Sequence, residues 1–323
     1  MPSAVVLELG SHSLKAHFVA TEKGKPQTLR FPWSLGQEVY DNGRVSRRSL
    51  AEMQTVVATL TARGFRMEEF FAIGTGALRD AEHSALVATR LGEGTGLSIR
   101  VLSGREEASL LAQGYLAGGG RVPALIADLG GGSLELVALD PKDQTLLRES
   151  LPLGAVRLHN MGGERPGPWD HEFVQSWIDR CFREEASLLR SDAVHATGGT
   201  VKAIGELLGR QVLTPDDIAG VRQQVVEHGA PQEFAASRQR VFLPGILVLE
   251  ALLRHSGASS LHYTSISVGA MLLRRILARG GALRSAERNE LLLKKMRLTA
   301  VHFIDPDEDP DPNDSTSKPP ADD

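Results

Sequence analysis

The sequence predicts an α/β protein of two similar halves facing each other across a cleft, and three glycine turns carry that prediction. The central one lies in Ala124 to Val137, ALIADLGGGSLELV, where an apolar run meets an alternating run through Gly130, Gly131 and Gly132. A second copy of the plan occupies Val5 to Val19, VVLELGSHSLKAHFV, with an acid at Glu8 and a turn at Gly10 and Ser11. The third, His195 to Val201, HATGGTV, joins a short strand to a helix at Gly198, Gly199 and Thr200. Two like hairpins far apart in one chain imply two like halves. If the halves face, the three turns meet in one cleft.

The central stretch reads as strand, turn, strand. Ala124 to Ala127 has the length and apolarity of a buried strand, and Asp128 follows where such a strand reaches a site. A carboxylate there is costly to bury without a partner. Glycines without a Cβ let the backbone turn sharply and present successive N–H groups to an anion. Alternation from Ser133 onward puts Ser133, Glu135 and Val137 on one face, so Asp128 and Glu135 flank the turn. Taken alone, GGG reads first as a glycine hairpin with two solvated acids. The second copy tells against that.

In chain order, a strand at Gln27 to Trp33 leads to Gly36 and a polar loop, and Ser46 opens a helix with apolar Leu50, Met53, Val57 and Leu60, ended by Gly64. A strand at Phe70 to Gly74 ends in TGALRD. It puts Thr75 and Arg79 at its carboxyl end, where open α/β sheets bind ligands. Asp80 caps a helix through Leu91, and Leu97 to Leu102 is a strand ending at Ser103. With Ser103 as cap, Glu106 falls at the third helical position and closes a capping box. Glu107 then projects about 100° further round the helix and is free to face the cleft. The other reading of Glu107 is a first-turn acid favoured by the helix dipole.

Gly118 to Gly120 with Pro123 form a hinge. After the central hairpin come a strand at Leu146 to Leu151 and a long helix from Trp169 to Arg190, whose Phe173, Trp177, Ile178 and Phe182 form a core stripe. Thr214-Pro215-Asp216-Asp217 opens a helix with cap, N1 proline and acid in place. A helix at Pro244 to His255, a strand near Leu261 to Ile266 and a helix at Val268 to Leu277 complete the second half.

Composition sets outer limits. Three hundred and twenty-three residues, 41% hydrophobic, suffice for two cores. The single Cys181 excludes a disulfide framework. No run approaches the roughly 18 apolar residues of a membrane span, and no basic-then-apolar leader opens the sequence; a soluble, cytoplasmic protein with no membrane partner is expected. Ile304 to Asp323 holds eight carboxylates against Lys318, so the net charge of −4 becomes +3 for the rest of the chain. That proline-rich tail is expected to be disordered. No basic stripe with interleaved aromatics suggests nucleic acid.

The segments LELGSHSLK, IGTGALRDAEH, VLSGREEASLL, IADLGGGSLELV, SLPLGAVRL and HATGGTVKAIG, in this order, resemble the exopolyphosphatase and guanosine pentaphosphate phosphatase (Ppx/GppA) family of the actin-like, sugar-kinase and Hsp70-like superfamily. They span most of residues 4 to 210. The resemblance implies two ribonuclease-H-like domains, residues 1–119 with a helix at Ser285 to Arg297 returning within 283–303, and residues 120–282. It implies hydrolysis of terminal phosphoanhydride bonds of polyphosphate or guanosine pentaphosphate, with Glu107 as base and Arg79 as phosphate contact. Phosphate would rest on Ser11, His12, Ser13, Gly130, Gly131, Gly132, Ser133, Gly198, Gly199 and Thr200, and Mg²⁺ on Glu8, Asp128 and Glu135. Polyphosphate or guanosine penta- or tetraphosphate is the implied partner, and a homodimer is allowed.

The chain also departs from the family. Glu8 stands for the usual aspartate, His12 for asparagine and Leu134 for threonine. Arg240 and Ser267-Val268-Gly269-Ala270 stand for an aspartate and an Arg-Glu-Gly run. These departures motivate a second reading, a module that binds polyphosphate or an alarmone without turnover. A third, a sugar-kinase-like or chaperone-like ATPase, needs an adenosine pocket for which the sequence has no signature.

Overall fold

The computed structural model describes residues 4–278 apart from 20–25, 34, 143–144, 164–168 and 184–188. The returning helix expected at Ser285 to Arg297 and the acidic tail lie outside the described residues. The first half holds strands β1 (Val5–Leu9), β2 (Ser13–Val19), β3 (Pro26–Pro32), β4 (Phe70–Gly74) and β5 (Ile99–Val101). Its helices are α1 (Leu35–Asn42), α2 (Arg47–Ala62), α3 (Gly76–Asp80), α4 (Ser84–Thr95) and α5 (Gly104–Ala117). The second holds β6 (Ala124–Leu129), β7 (Leu134–Leu139), β8 (Thr145–Leu151), β9 (Ala193–Gly198), β10 (Val212–Leu213) and β11 (Ser260–Tyr263). With them run α6 (Ala155–Gly163), α7 (His171–Arg183), α8 (Gly199–Leu208), α9 (Pro215–His228), α10 (Ala236–Ser256) and α11 (Val268–Ala278).

The two sheets repeat one plan. Their orders are β3-β2-β1-β4-β5 and β8-β7-β6-β9-β11-β10. In each, a three-strand antiparallel meander is followed by two parallel strands added beside its first strand, and the second sheet ends in the short β10, antiparallel to β11. The expected pair of α/β halves is present. Each sheet has its own core. Leu7, Leu9, Met53, Leu60 and Leu78 anchor the first, and Leu136, Phe182, Ile204 and Phe242 the second.

Two helices join the halves. Leu110 of α5 belongs to a cluster with Val6, Phe71 and Ile73 of the first sheet, whereas its Ala108, Leu111 and Tyr115 pack with Ile126 and Val137 of the second. Helix α11, read from sequence as part of the second half, packs Val268, Leu272, Leu273 and Ile276 on the first sheet. The chain is therefore already back on the first half at residue 268. Its apolar stripe fits either sheet, and periodicity alone does not say which.

Three local expectations change. The stretch from Gly36 is helical, not a polar loop. Asp80 ends α3 rather than capping the next helix, which starts at Ser84 after His83 in the left-handed region. Helix α10 begins at Ala236 and carries Pro244 inside it. Proline at a helix's first turn is the commoner arrangement, which is why the sequence pointed to a later start. Among the described residues no helix is long and apolar enough to cross a membrane.

Candidate active site

The two hairpin turns are built alike. Gly10 N–H donates to the Ser13 carbonyl at 3.2 Å and Gly130 N–H to that of Ser133 at 3.0 Å. Each turn aims carbonyls at a helix N-terminus. Ser11 O accepts from Gly36 N (2.9 Å), while Gly130 O accepts from Ala155 N (3.1 Å) and Gly131 O from Val156 N (2.9 Å) and Arg157 N (3.1 Å). The N–H groups of Ser11, His12, Gly131, Gly132 and Ser133 make no backbone hydrogen bond among the described residues. Such unpaired, adjacent donors form an anion cradle. The turns also touch. A Cβ on Gly131 would come within 2.9 Å of Ser11 Cβ, and one on Gly132 within 2.7 Å of Ser11 Oγ, so only glycine permits the approach.

The third turn joins them. Gly198, at φ +119, ends β9, and α8 starts at Gly199 without a side-chain cap. Its first N–H groups have no intrahelical partner. All three turns line one cleft of about 520 Å³.

Acids gather beside the cradle. Glu107 of α5 is buried and pairs with Arg79 of α3. Arg79 also donates to the Leu102 carbonyl (3.1 Å) and to Ser133 Oγ (3.4 Å). Ser133 Oγ in turn donates to Glu135 Oε1 at 2.6 Å, as Ser150 Oγ does at 2.8 Å. Burial, with Glu135 and Asp128 nearby, pushes Glu107 well above the usual carboxylate range despite Arg79. Asp128 stands opposite Glu135 in the β6–β7 register. Burial and Glu135 raise it to about 7, against the pull of Lys15. Burial also raises Glu135, while the two serine hydroxyls hold it down. Glu106, by contrast, closes its capping box with Ser103 N at 2.8 Å.

Glu8 behaves differently. Its Oε1 pairs with Lys15, and its Oε2 accepts from Ser267 Oγ (3.2 Å) and Gly269 N (3.1 Å), with His17 Nε2 at 3.1 Å. Burial pushes Glu8 up, yet Lys15 and His17 hold it well below the usual range. The departures at position 8 and at 267–270 therefore meet: the longer acid reaches the start of α11. His12 lines the cleft, and burial, with Arg238, Arg30 and Arg240 nearby, pushes its pKa below the usual imidazole value.

A divalent cation fits Asp128 and Glu135. The Asp128 carboxylate accepts no hydrogen bond among the described residues, and it lines the cleft among like charges, which a bound cation would relieve. Nowhere among the described residues do three His, Cys, Asp or Glu side chains cluster as a metal cage. Two carboxylates are enough for a hard divalent cation that completes its shell with phosphate oxygens and water.

Sequence reasoning missed the cleft's cations: Lys15, Arg30, Lys202 and Arg238 all line it. One had a signal: alternation puts Lys15 on the face of Ser13. Arg30 is brought beside it by the β2–β3 register, which the sequence pattern does not fix. Arg238 had none, because it lies in the first turn of α10, ahead of the start that Pro244 suggests.

The model of the Ppx/GppA phosphatase family matches residues 26–270. Exopolyphosphatase 1 of Mycobacterium tuberculosis is 26% identical, over 77% of this chain and 80% of that protein. Exopolyphosphatase 1 of Mycobacterium leprae is 24% identical, over 77% and 82%. Among solved structures, an exopolyphosphatase from Cytophaga hutchinsonii superposes with a TM-score of 0.72 at 18% identity, covering 86% of this chain and 98% of that one. The Aquifex aeolicus member of the Ppx/GppA family does so with a TM-score of 0.66 at 20% identity, covering 87% and 99%. These structural likenesses bear on the fold alone.

Proposed function

Because the chain belongs to the Ppx/GppA phosphatase family, we propose that it hydrolyses the terminal phosphoanhydride bond of inorganic polyphosphate or guanosine pentaphosphate. The observation that carries this reading is Glu107: a buried, cleft-lining carboxylate with a raised pKa, paired to Arg79, which also reaches Ser133 of the open amide cradle. A base poised nearer neutral pH than an ordinary glutamate suits proton abstraction from water.

In this reading the terminal phosphate rests on the amides of Ser11 to Ser13, Gly131 to Ser133, and Gly199 to Thr200. Lys15, Arg30, Lys202 and Arg238 receive the polyanion behind it. A water oxygen attacks the terminal phosphorus and its proton passes to Glu107. The bridging P–O bond breaks, and the shortened chain keeps the electron pair. Arg79 meets the charge that spreads over the equatorial oxygens. A divalent cation on Asp128 and Glu135 would neutralise phosphate charge. We assign Glu8, whose two oxygens are already engaged, to ordering Lys15 and the start of α11.

The test is phosphate release from long-chain polyphosphate and from guanosine pentaphosphate, with Mg²⁺ and with EDTA. Release from at least one, dependent on the cation, is expected. Binding of either with release from neither would make the protein a binding module.

A further inference from the structure

A second cavity, of about 580 Å³, lies on the other side of the crossover that follows β11. The end of α5 and its glycine loop, β9 and α11 supply its remaining walls, and Ser265 and Ser267 line both this cavity and the cleft. The chain holds 40 acids against 36 lysines and arginines, yet no aspartate or glutamate lines this cavity, while Arg121 and Arg274 do. Neither guanidinium has an ion pair or side-chain hydrogen bond among the described residues. They come from separate elements and meet at one hollow. Guanidinium groups gathered without a counter-charge favour an anion, and phosphate matches their fork geometry.

The hollow is built rather than incidental. Tyr115 Oη donates to the Arg121 carbonyl at 2.9 Å and ties the loop down. A Cβ on Gly120 would strike the Tyr115 ring, whereas one on Gly119 would meet nothing within 4 Å. The loop is thus tight on its inner side and open on its outer side. His195 stands between Tyr115 and His262, with ring centroids at 4.9 and 5.3 Å, and offers a flat polar wall. The volume lies within the range of small-molecule sites.

We propose that this cavity is a second anion site, which takes a small phosphorylated molecule whose phosphate is held by Arg121 and Arg274. It is separate from the cleft's phosphate cradle and shares one wall with it, through Ser267, whose hydroxyl reaches Glu8. The probe is inorganic pyrophosphate, titrated calorimetrically into the full chain, Arg121→Gln/Arg274→Gln, each single variant, and Lys202→Gln/Arg238→Gln as the cleft control. Two classes of site are expected. Each Arg121 or Arg274 substitution should weaken one class by about tenfold, and the cleft control should weaken the other. One class only, or a double variant that titrates like the parent, would overturn the proposal. So would a second class that appears only after truncation behind Phe303, which would assign the cavity to the chain's own acidic tail. Both arginines are exposed, so the variants should fold, and matching melting curves check it. None of these readouts requires turnover, so a protein that hydrolyses nothing still tests the site.

Discussion

Glu106 and Glu107 are neighbours with unrelated work, and one helical step separates them. Glu106 closes the start of α5 and pairs with Arg100 at 2.7 Å, whereas Glu107 enters the cleft. Deprotonated Glu107 is the active form and its pKa is raised, so phosphate release should fall as pH drops through a midpoint above the ordinary glutamate value of about 4.3. A pH–rate profile of kcat/KM checks this, and an acid limb at the ordinary value would contradict it. Asp128 gives a stability counterpart. Its folded pKa of about 7 exceeds its unfolded one, so between those values the native state binds more protons. Stability should fall as pH rises through that window and stay lost above it. Asp128→Asn should therefore melt higher than the parent at pH 8 and alike near pH 4 in cation-free buffer, and saturating Mg²⁺ should narrow the gap. The Glu106 box was legible in sequence because a cap is local. Asp128 and Glu135 were legible as a pair flanking their turn, but no spacing announces that they meet Glu107, which comes from a helix before the hairpin.

At the scale of elements, the repeated unit is a glycine turn, a third strand and a short helix whose N-terminus meets the turn's carbonyls. Gly36 and Gly154 hold matching places in the two copies. A Cβ on Gly36 would collide with the Ser11 carbonyl, and one on Gly154 with the backbone of Gly131 and Gly132. Gly36→Ala and Gly154→Ala should each cost about 1–3 kcal/mol of stability, as overpacking does, and lower phosphate release by disturbing the turn. Thermal melts with parallel rate measurements check both. The hairpins were legible because alternation and glycine clusters are strong local signals. Helices α1 and α6 were not. Eight and nine residues long, they are fixed less by propensity than by the turns they abut.

Across the whole molecule, contacts between the halves hold the site together. Arg157 of α6 donates to the Gly132 carbonyl at 2.8 Å, pairs with Asp80 of α3, and lies 4.8 Å from the centre of the Tyr40 ring. Tyr40 Oη donates to Asp80 at 2.9 Å. One guanidinium thus fixes the second half's cradle against the helix that carries Arg79. Arg157→Ala and Asp80→Asn should each lower kcat by about tenfold to a hundredfold through misplacement. The double variant should lose no more than the worse single, since the pair acts as one unit; additive losses would show independent roles. The two-half plan was legible from the repeated hairpin. This latch was not, because it joins residues 77 apart in sequence.

The most direct test compares Glu107→Gln with Glu106→Gln in single-turnover phosphate release, each with a substrate-binding isotherm. Glutamine at 107 keeps shape and hydrogen bonding but takes no proton from water, so release should fall by about 10²-fold or more while affinity holds. Glutamine at 106 still closes the capping box and should leave both nearly unchanged. Equal losses in the two variants, or normal turnover by Glu107→Gln, would contradict the assignment and leave Glu107 as the ion-pair partner of Arg79.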